Sequence, residues 1–260
     1  MTTGSNQVES DLRGGVLWVT LNRPHVMNAL TPGMLRAIDA AMEQAESDSA
    51  VRCVVITGRG NEFCAGADLS EVPSGSEELG RFLKKAGQTM QGIERLSKPV
   101  IACINGVALA GGLELALCAD IIVAARSAEL GDGHIKYGLL PGAGGSTRLA
   151  RAVGAGRARY LMYTGFRLSA EHLESWGLVQ QVVDDGELLQ ATNTLANVIS
   201  RHSPLVLSQL KQLISRSVDS SLEQSLELEV AANQIIATSE DLKEGLAAFA
   251  EKRKPVFRGV

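Results

Sequence analysis

The residues best suited to chemistry lie in two short loops that contain glycine. Phe63-Cys64-Ala65-Gly66-Ala67-Asp68 follows a buried-strand pattern. So does Asn105-Gly106-Val107-Ala108-Leu109-Ala110-Gly111-Gly112-Leu113-Glu114, which then opens a helix. Small residues let the backbone come close to a ligand, and the first turn of a helix presents N–H groups without intrahelical partners. Two such loops at the ends of parallel strands can each direct one N–H at a single carbonyl oxygen. That arrangement stabilises an enolate developing on a thioester. The same residues also suit two tight strand-to-helix turns with no ligand. Glu114 weighs toward the first reading. It falls among Leu113, Leu115, Ala116 and Leu117, on a segment too apolar for a surface helix, where an unpaired carboxylate is costly. Burial would raise its pKa, and the helix N-terminus would oppose the rise. An acid in this position either caps the helix or moves protons beside the oxyanion donors.

The elements that must hold these loops follow from periodicity. Val16–Leu21 reads as a strand closed by Asn22-Arg23-Pro24. Thr31 then offers an N-cap with Pro32 at the first helical position, and Met34, Leu35, Ile38, Ala41 and Met42 recur at helical spacing. Cys53–Thr57, Val100–Ile104 and Ile121–Val123 are further strands, with a helix over Glu77–Leu96 and another over Gly112–Cys118. Repeated strand and helix units of this kind predict an α/β fold whose parallel strands are buried on both faces. Beyond Leu140-Pro141-Gly142-Ala143-Gly144-Gly145, helical patterns take over at Ser146–Thr164, Ala170–Trp176, Glu187–Arg201, Pro204–Ser217, Leu222–Ala237 and Asp241–Lys252. Only Val179–Val183 looks like a strand in that half. So helical a region must bury its apolar faces on the first part or on neighbouring subunits.

Composition removes several classes of function. The 260 residues carry a net charge of −4, only 4% aromatics and no long basic run, a poor match to nucleic acid. Cys53, Cys64, Cys103 and Cys118 form no C-x-x-C pair, so neither a disulfide framework nor a zinc site is expected. Met1–Asp11 has no Lys, Arg or apolar stretch, and Val100–Ala125 is interrupted by Asn105, Glu114 and Asp120. Neither a leader nor a membrane span is expected, and the cytoplasm is the expected compartment. No G-x-x-x-x-G-K-[ST] or G-x-S-x-G is present, and Gly142–Gly145 follows a proline rather than a strand, which spoils a dinucleotide reading. His25, His134, His172 and His202 form no H-E-x-x-H.

Taken in order, several runs resemble the enoyl-CoA hydratase/isomerase (crotonase) superfamily. They are Asn22-Arg23-Pro24 with Asn28-Ala29-Leu30, Phe63–Asp68, Lys98–Ala102 with Asn105-Gly106, Gly111–Ala116 with Asp120, Gly138–Leu149, and the tail Phe249–Lys254. The resemblance spans nearly the whole chain. It implies a crotonase-like spiral of ββα units over residues 1–195, with a helical region over 196–260 involved in assembly into trimers or paired trimers. It implies an acyl-CoA substrate, no separate cofactor, and backbone N–H groups of Ala67 and Gly111 holding the thioester oxygen. Ala65, Gly66, Asp68 and Leu69 match the loop lining the CoA and acyl path, and His25 and Val26 match contacts to the adenine end. Lys252 matches a lysine that reaches CoA phosphates, sometimes across a subunit boundary.

Glu114 matches the first catalytic glutamate of the hydratases. The second normally lies in a G-x-P-E loop, where this chain reads Gly131-Asp132-Gly133-His134. His134 replaces the acid and Gly133 the proline. An imidazole transfers protons near neutral pH, so a Glu/His pair can still run acid–base chemistry. The substitution also fits an isomerase or thioester hydrolase using the same enolate, or an acyl-CoA binder with weak turnover. Asp132 offers a steric substitute for the acid, although it points to the opposite side if the loop is extended.

Overall fold

The computed structural model describes residues 7–71 and 75–260. Of the Met1–Asp11 segment, residues 1–6 lie outside them. The chain opens with a hairpin of β1 (Val8–Arg13) and β2 (Val16–Leu21), then α1 (Pro32–Ser47), β3 (Cys53–Gly58), α2 (Ser76–Arg95) and β4 (Val100–Ile104). A two-residue strand β5 (Ala108–Leu109) leads into α3 (Gly111–Ala116), followed by β6 (Ile121–Ala125) and β7 (Glu129–Gly131). Next come α4 (Gly145–Val153), α5 (Ala155–Thr164), β8 (Arg167–Ser169), α6 (Ala170–Ser175) and β9 (Gln181–Val183). The chain closes with α7 (Leu188–Ser200), α8 (Pro204–Ser217), α9 (Leu222–Ala237) and α10 (Glu240–Ala250).

The main sheet runs β1-β2-β3-β4-β6-β9, parallel throughout except for the β1–β2 hairpin, and a second sheet runs β5-β7-β8. The two sheets are linked by the same step made repeatedly. After β4 the chain enters the second layer at β5 before α3, and after β6 it enters at β7. The layer extends back along the chain through the bridges Cys64 to Ala108 and Leu30 to Ala67. Each turn of the spiral thus contributes a strand, a short second-layer segment and a helix.

The apolar runs read as buried strands are buried. Every residue of β4, and all of β3 but its last glycine, is buried. The helix α7 lies across β2, β3, β4 and β6, while α1 packs on β1, β2 and α2. The Thr31 side chain caps α1 by accepting the Met34 N–H, with Pro32 following as expected. Two expectations need correcting. The helical stretch from Ser146 to Thr164 is two helices, because Gly154 turns the chain at φ 82°. The strands β1, β5, β7 and β8 went unpredicted; all but β1 have only two or three residues, too few for a period-2 pattern. The helix α7 runs through residues 195 and 196 and packs on four strands of the main sheet. Among the described residues, no helix is long and apolar enough to cross a membrane.

Candidate active site

The two glycine loops meet side by side. Cys64 N–H donates to the Val107 carbonyl at 2.9 Å, and Leu109 N–H returns a bond to the Cys64 carbonyl at 2.9 Å. Gly112 is required by this contact, since a β-carbon there would lie 2.0 Å from the Cys64 carbonyl oxygen. Gly66, at φ 104°, turns the first loop so that Ala67 N–H is left free while Leu30 N–H donates to Gly66 and Asp68 N–H to Leu30. On the other loop Ala110 adopts φ 48° and ψ −115°, a conformation that costs an alanine roughly 1–3 kcal/mol. It ties Ala110 N–H to the Gly131 carbonyl at 3.1 Å and starts α3 at Gly111. Among the described residues, neither Ala67 N–H nor Gly111 N–H has a hydrogen-bond partner. A β-carbon on Gly111 would sit 3.4 Å from Ala67 N, so the two free donors are neighbours.

Glu114 stands one turn along α3 from that pair and is 3% exposed. Its Oε1 accepts N–H bonds from Ala143 and Gly145, each at 2.8 Å. The glycine-rich run that looked unfit for a dinucleotide therefore cradles a carboxylate of its own chain. Gly145 is obligatory here, because a β-carbon would lie 2.9 Å from Glu114 Cγ. Arg148 fixes the cradle from outside, donating to the Ala143 carbonyl at 2.7 Å while pairing with Glu94 at 2.7 Å. Burial pushes the Glu114 carboxyl above its ordinary range; the two backbone N–H groups and His134 oppose the shift, and Asp132 adds to it.

The other oxygen of Glu114 faces His134, with Oε2 and Nε2 3.9 Å apart. The segment carrying His134 is a 3-10 turn, His134–Tyr137, not an extended strand. This corrects the expectation for Asp132. Asp132 is 2% exposed and turns toward the site; its Oδ1 accepts the His134 backbone N–H at 3.1 Å. The same carboxylate meets His134 Nδ1 at 3.0 and 3.1 Å through its two oxygens. Burial alone would lower the His134 pKa, but the Asp132 hydrogen bond and the charges of Asp132 and Glu114 raise it overall. The readable signal was an Asx-turn, a short acid whose side chain accepts the N–H two residues on, with Gly133 between.

The remaining expected residues divide. Ala65, Gly66 and Asp68 lie in the oxyanion loop, but the Asp68 carboxylate is held by Arg23 at 2.9 Å, with both side chains largely buried. Asp68 thus locks the loop to the segment after β2, and Arg23 also donates to the Ala29 carbonyl at 2.7 Å. Leu69 is 51% exposed at the loop's outer end. His25 is exposed and Val26 half-buried on the 3-10 turn Pro24–Val26; Met27 just beyond accepts the Ala65 N–H at 3.0 Å. Lys252 is exposed just past α10, and among the described residues no side-chain bond links it to the site. Cys64 is fully buried and its thiol is pushed up to about 12, so it offers no nucleophile to the hole. Among the described residues, no cluster of His, Cys, Asp or Glu could hold a metal ion.

A spiral of ββα units with paired loop N–H donors beside a buried acid defines a crotonase-like α/β protein, with a helical C-terminal region. The chain belongs to the enoyl-CoA hydratase/isomerase family, whose model matches residues 11–260. It is 38% identical over 251 residues to a short-chain-enoyl-CoA hydratase of Clostridium acetobutylicum, covering 96% of each chain. It is 37% identical over 255 residues to a 1,2-epoxyphenylacetyl-CoA isomerase of Escherichia coli, covering 96% of this chain and 97% of that one. The structure superposes on an enoyl-CoA hydratase from Bacillus anthracis with a TM-score of 0.95 and 36% identity, over 98% of this chain and all of the other.

Proposed function

We propose that the protein is an enoyl-CoA hydratase of the cytoplasm, adding water reversibly across the double bond of a 2-enoyl-CoA. The observation that carries this reading is the pair Glu114 and His134, 3.9 Å apart beside two unpartnered loop N–H groups. The thioester oxygen accepts from Ala67 and Gly111, which draws electron density from the β-carbon. Glu114, ionised, takes a proton from water as its oxygen bonds to that carbon. Negative charge moves to the thioester oxygen, where the two donors stabilise it. His134, protonated, gives the Nε2 proton to the α-carbon as the enolate collapses. Glu114 then holds one proton too many and His134 lacks one, and transfer between these neighbours resets the site. Coenzyme A is part of the substrate, and no further cofactor enters.

The surroundings take binding roles in the same reading. Ala65, Gly66 and Leu69 flank the acyl path, and Asp68 holds the loop there through Arg23. His25 and Val26 meet the adenine end, and Lys252 meets CoA phosphates, from the same or a neighbouring subunit of a trimer or paired trimer. Isomerisation of the double bond is the second reading, favoured by the match to a family of enoyl-CoA hydratases and isomerases, since one acid–base pair can remove a proton at one carbon and return it at another. Mass spectrometry of a panel of enoyl-CoA thioesters incubated with the purified protein separates the cases. A gain of one water mass supports hydration. A shifted double bond at unchanged mass indicates isomerisation, free CoA indicates hydrolysis, and binding without product indicates a binding protein.

A further inference from the structure

His134 is held between two carboxylates by opposite ring nitrogens, and only one of those carboxylates has a task in the reaction above. Asp132 is buried, touches Nδ1 with both oxygens, and accepts the backbone N–H of His134. Its aim is therefore fixed relative to the residue it serves. We propose, resting on the hydratase reading, that Asp132 is a positioning residue, holding Nδ1–H of His134 so that Nε2 alone exchanges protons with the reacting carbon.

The chemistry of imidazole explains why such a residue is needed. A neutral ring carries its proton on one nitrogen and offers a lone pair on the other. With Asp132 accepting at Nδ1, the neutral ring keeps Nδ1–H and leaves a basic Nε2. The same atom can then donate during hydration and accept during dehydration. A glutamate at this position would need no such partner, because either oxygen can carry the proton. The histidine and the aspartate two residues before it thus form one unit, joined by the Asx-turn across Gly133. The charged groups facing the ring are Asp132, from the end of β7, and Glu114, from α3. The helix α5 also packs on this 3-10 turn, but its titratable residues, Arg157, Arg159, Tyr160 and Tyr163, are not among the groups acting on the ring.

The substitution Asp132→Asn keeps the shape and removes the charge. The amide oxygen retains the His134 backbone N–H and stays near Nδ1, but the amide N–H₂ replaces the oxygen that met Nδ1 at 3.1 Å, so the hold on Nδ1–H and on the protonated ring is weakened. With crotonyl-CoA we expect kcat to fall about 10²-fold in D132N with KM little changed. The falling limb of the pH profile should move down by about 1–3 units as a neighbouring charge is lost. Acetyl-CoA affinity by calorimetry checks that the variant is folded. Nitrogen NMR of histidine-labelled wild type, with His134 assigned by its disappearance in H134A, should show Nδ1 protonated throughout and Nε2 titrating. A wild-type neutral ring protonated on Nε2 overturns the proposal whether or not any variant folds. So does a D132N enzyme with unchanged kcat and pH profile. Failure of the hydratase reading looks different: wild type then releases no hydrated product, while the NMR result still decides the role of Asp132.

Discussion

At the scale of single residues, the pH dependence of turnover should separate the two proton carriers. Glu114 must be ionised to take a proton from water, and burial holds its carboxyl above the ordinary range. Activity should therefore rise with pH through a value higher than a free glutamate would give. His134 must be protonated to serve the α-carbon, and its pKa is also raised, with the Asp132 and Glu114 interactions overcoming burial. Activity should fall as pH climbs through a value above the ordinary imidazole range. Glu114→Gln is expected to lose about 10²–10⁴-fold in kcat and the low-pH limb, while binding acetyl-CoA much as wild type. His134→Ala should lose the high-pH limb instead. Equal turnover in either variant and wild type, measured as loss of the conjugated thioester absorbance, would remove that residue from the mechanism. Gly111→Val tests the donors separately. A β-carbon at this position meets only ordinary contacts of 3.4–3.5 Å, so the protein should fold. The added carbons would crowd the space beside Ala67 N–H, and acyl-CoA affinity by calorimetry should drop sharply.

At the scale of elements, glycines show how differently the same residue is used. Gly112 lets α3 begin against the Cys64 carbonyl, and a β-carbon there, 2.0 Å from a backbone oxygen, has nowhere to go. Gly112→Ala should cost about 1–3 kcal/mol or more through overpacking and should misalign both loops. Gly92 in α2 has no atom within 4 Å of its missing β-carbon. Gly92→Ala should instead stabilise by about 0.5–1 kcal/mol, the usual gain of replacing a helical glycine. Thermal midpoints of the two variants should therefore move in opposite directions. This contrast also marks what could be read beforehand. The buried strands β3 and β4, the cap at Thr31 and the two loops were legible because apolar runs and turn residues are local signals. The partners of Glu114 were not legible, because Ala143 and Gly145 act through backbone N–H groups that leave no mark in residue type. The Arg23–Asp68 pair spans 45 residues, and no spacing rule reaches that far. Asp132 was misjudged for a local reason, since an extended loop and an Asx-turn send the same side chain in opposite directions.

At the scale of the whole molecule, the helical end of the chain has apolar surface left to bury. Leu222, Leu226 and Val230 recur every four residues along α9 and are 77%, 53% and 61% exposed. Leu210 and Ile214 on α8, with Val218 at its C-terminal end, repeat the spacing and are also exposed. Yet this region is firmly tied to its own core: Lys211 on α8 pairs with Asp120 at 2.8 Å, and Asp241 on α10 holds the tail through Gly259 N–H at 3.0 Å. Apolar stripes on a well-anchored region argue for contact with further copies of the chain, as in the assemblies that the family resemblance implies. Light scattering of the wild type should then give a multiple of the chain's 27.5 kDa, and Leu226→Glu should shift it toward a single chain. The same variant tests Lys252. That residue adopts φ 56° in the turn that ends α10, where Arg253 N–H bonds back to the Ala248 carbonyl and glycine is the usual occupant. A lysine there costs roughly 1–2 kcal/mol, which is reason to look for a task. If Lys252 serves the coenzyme A of a neighbouring subunit, dissociation should weaken acyl-CoA binding by as much as Lys252→Ala does in the assembled protein. The double variant should then bind no worse than L226E alone. Additive losses would instead put Lys252 at the site of its own chain.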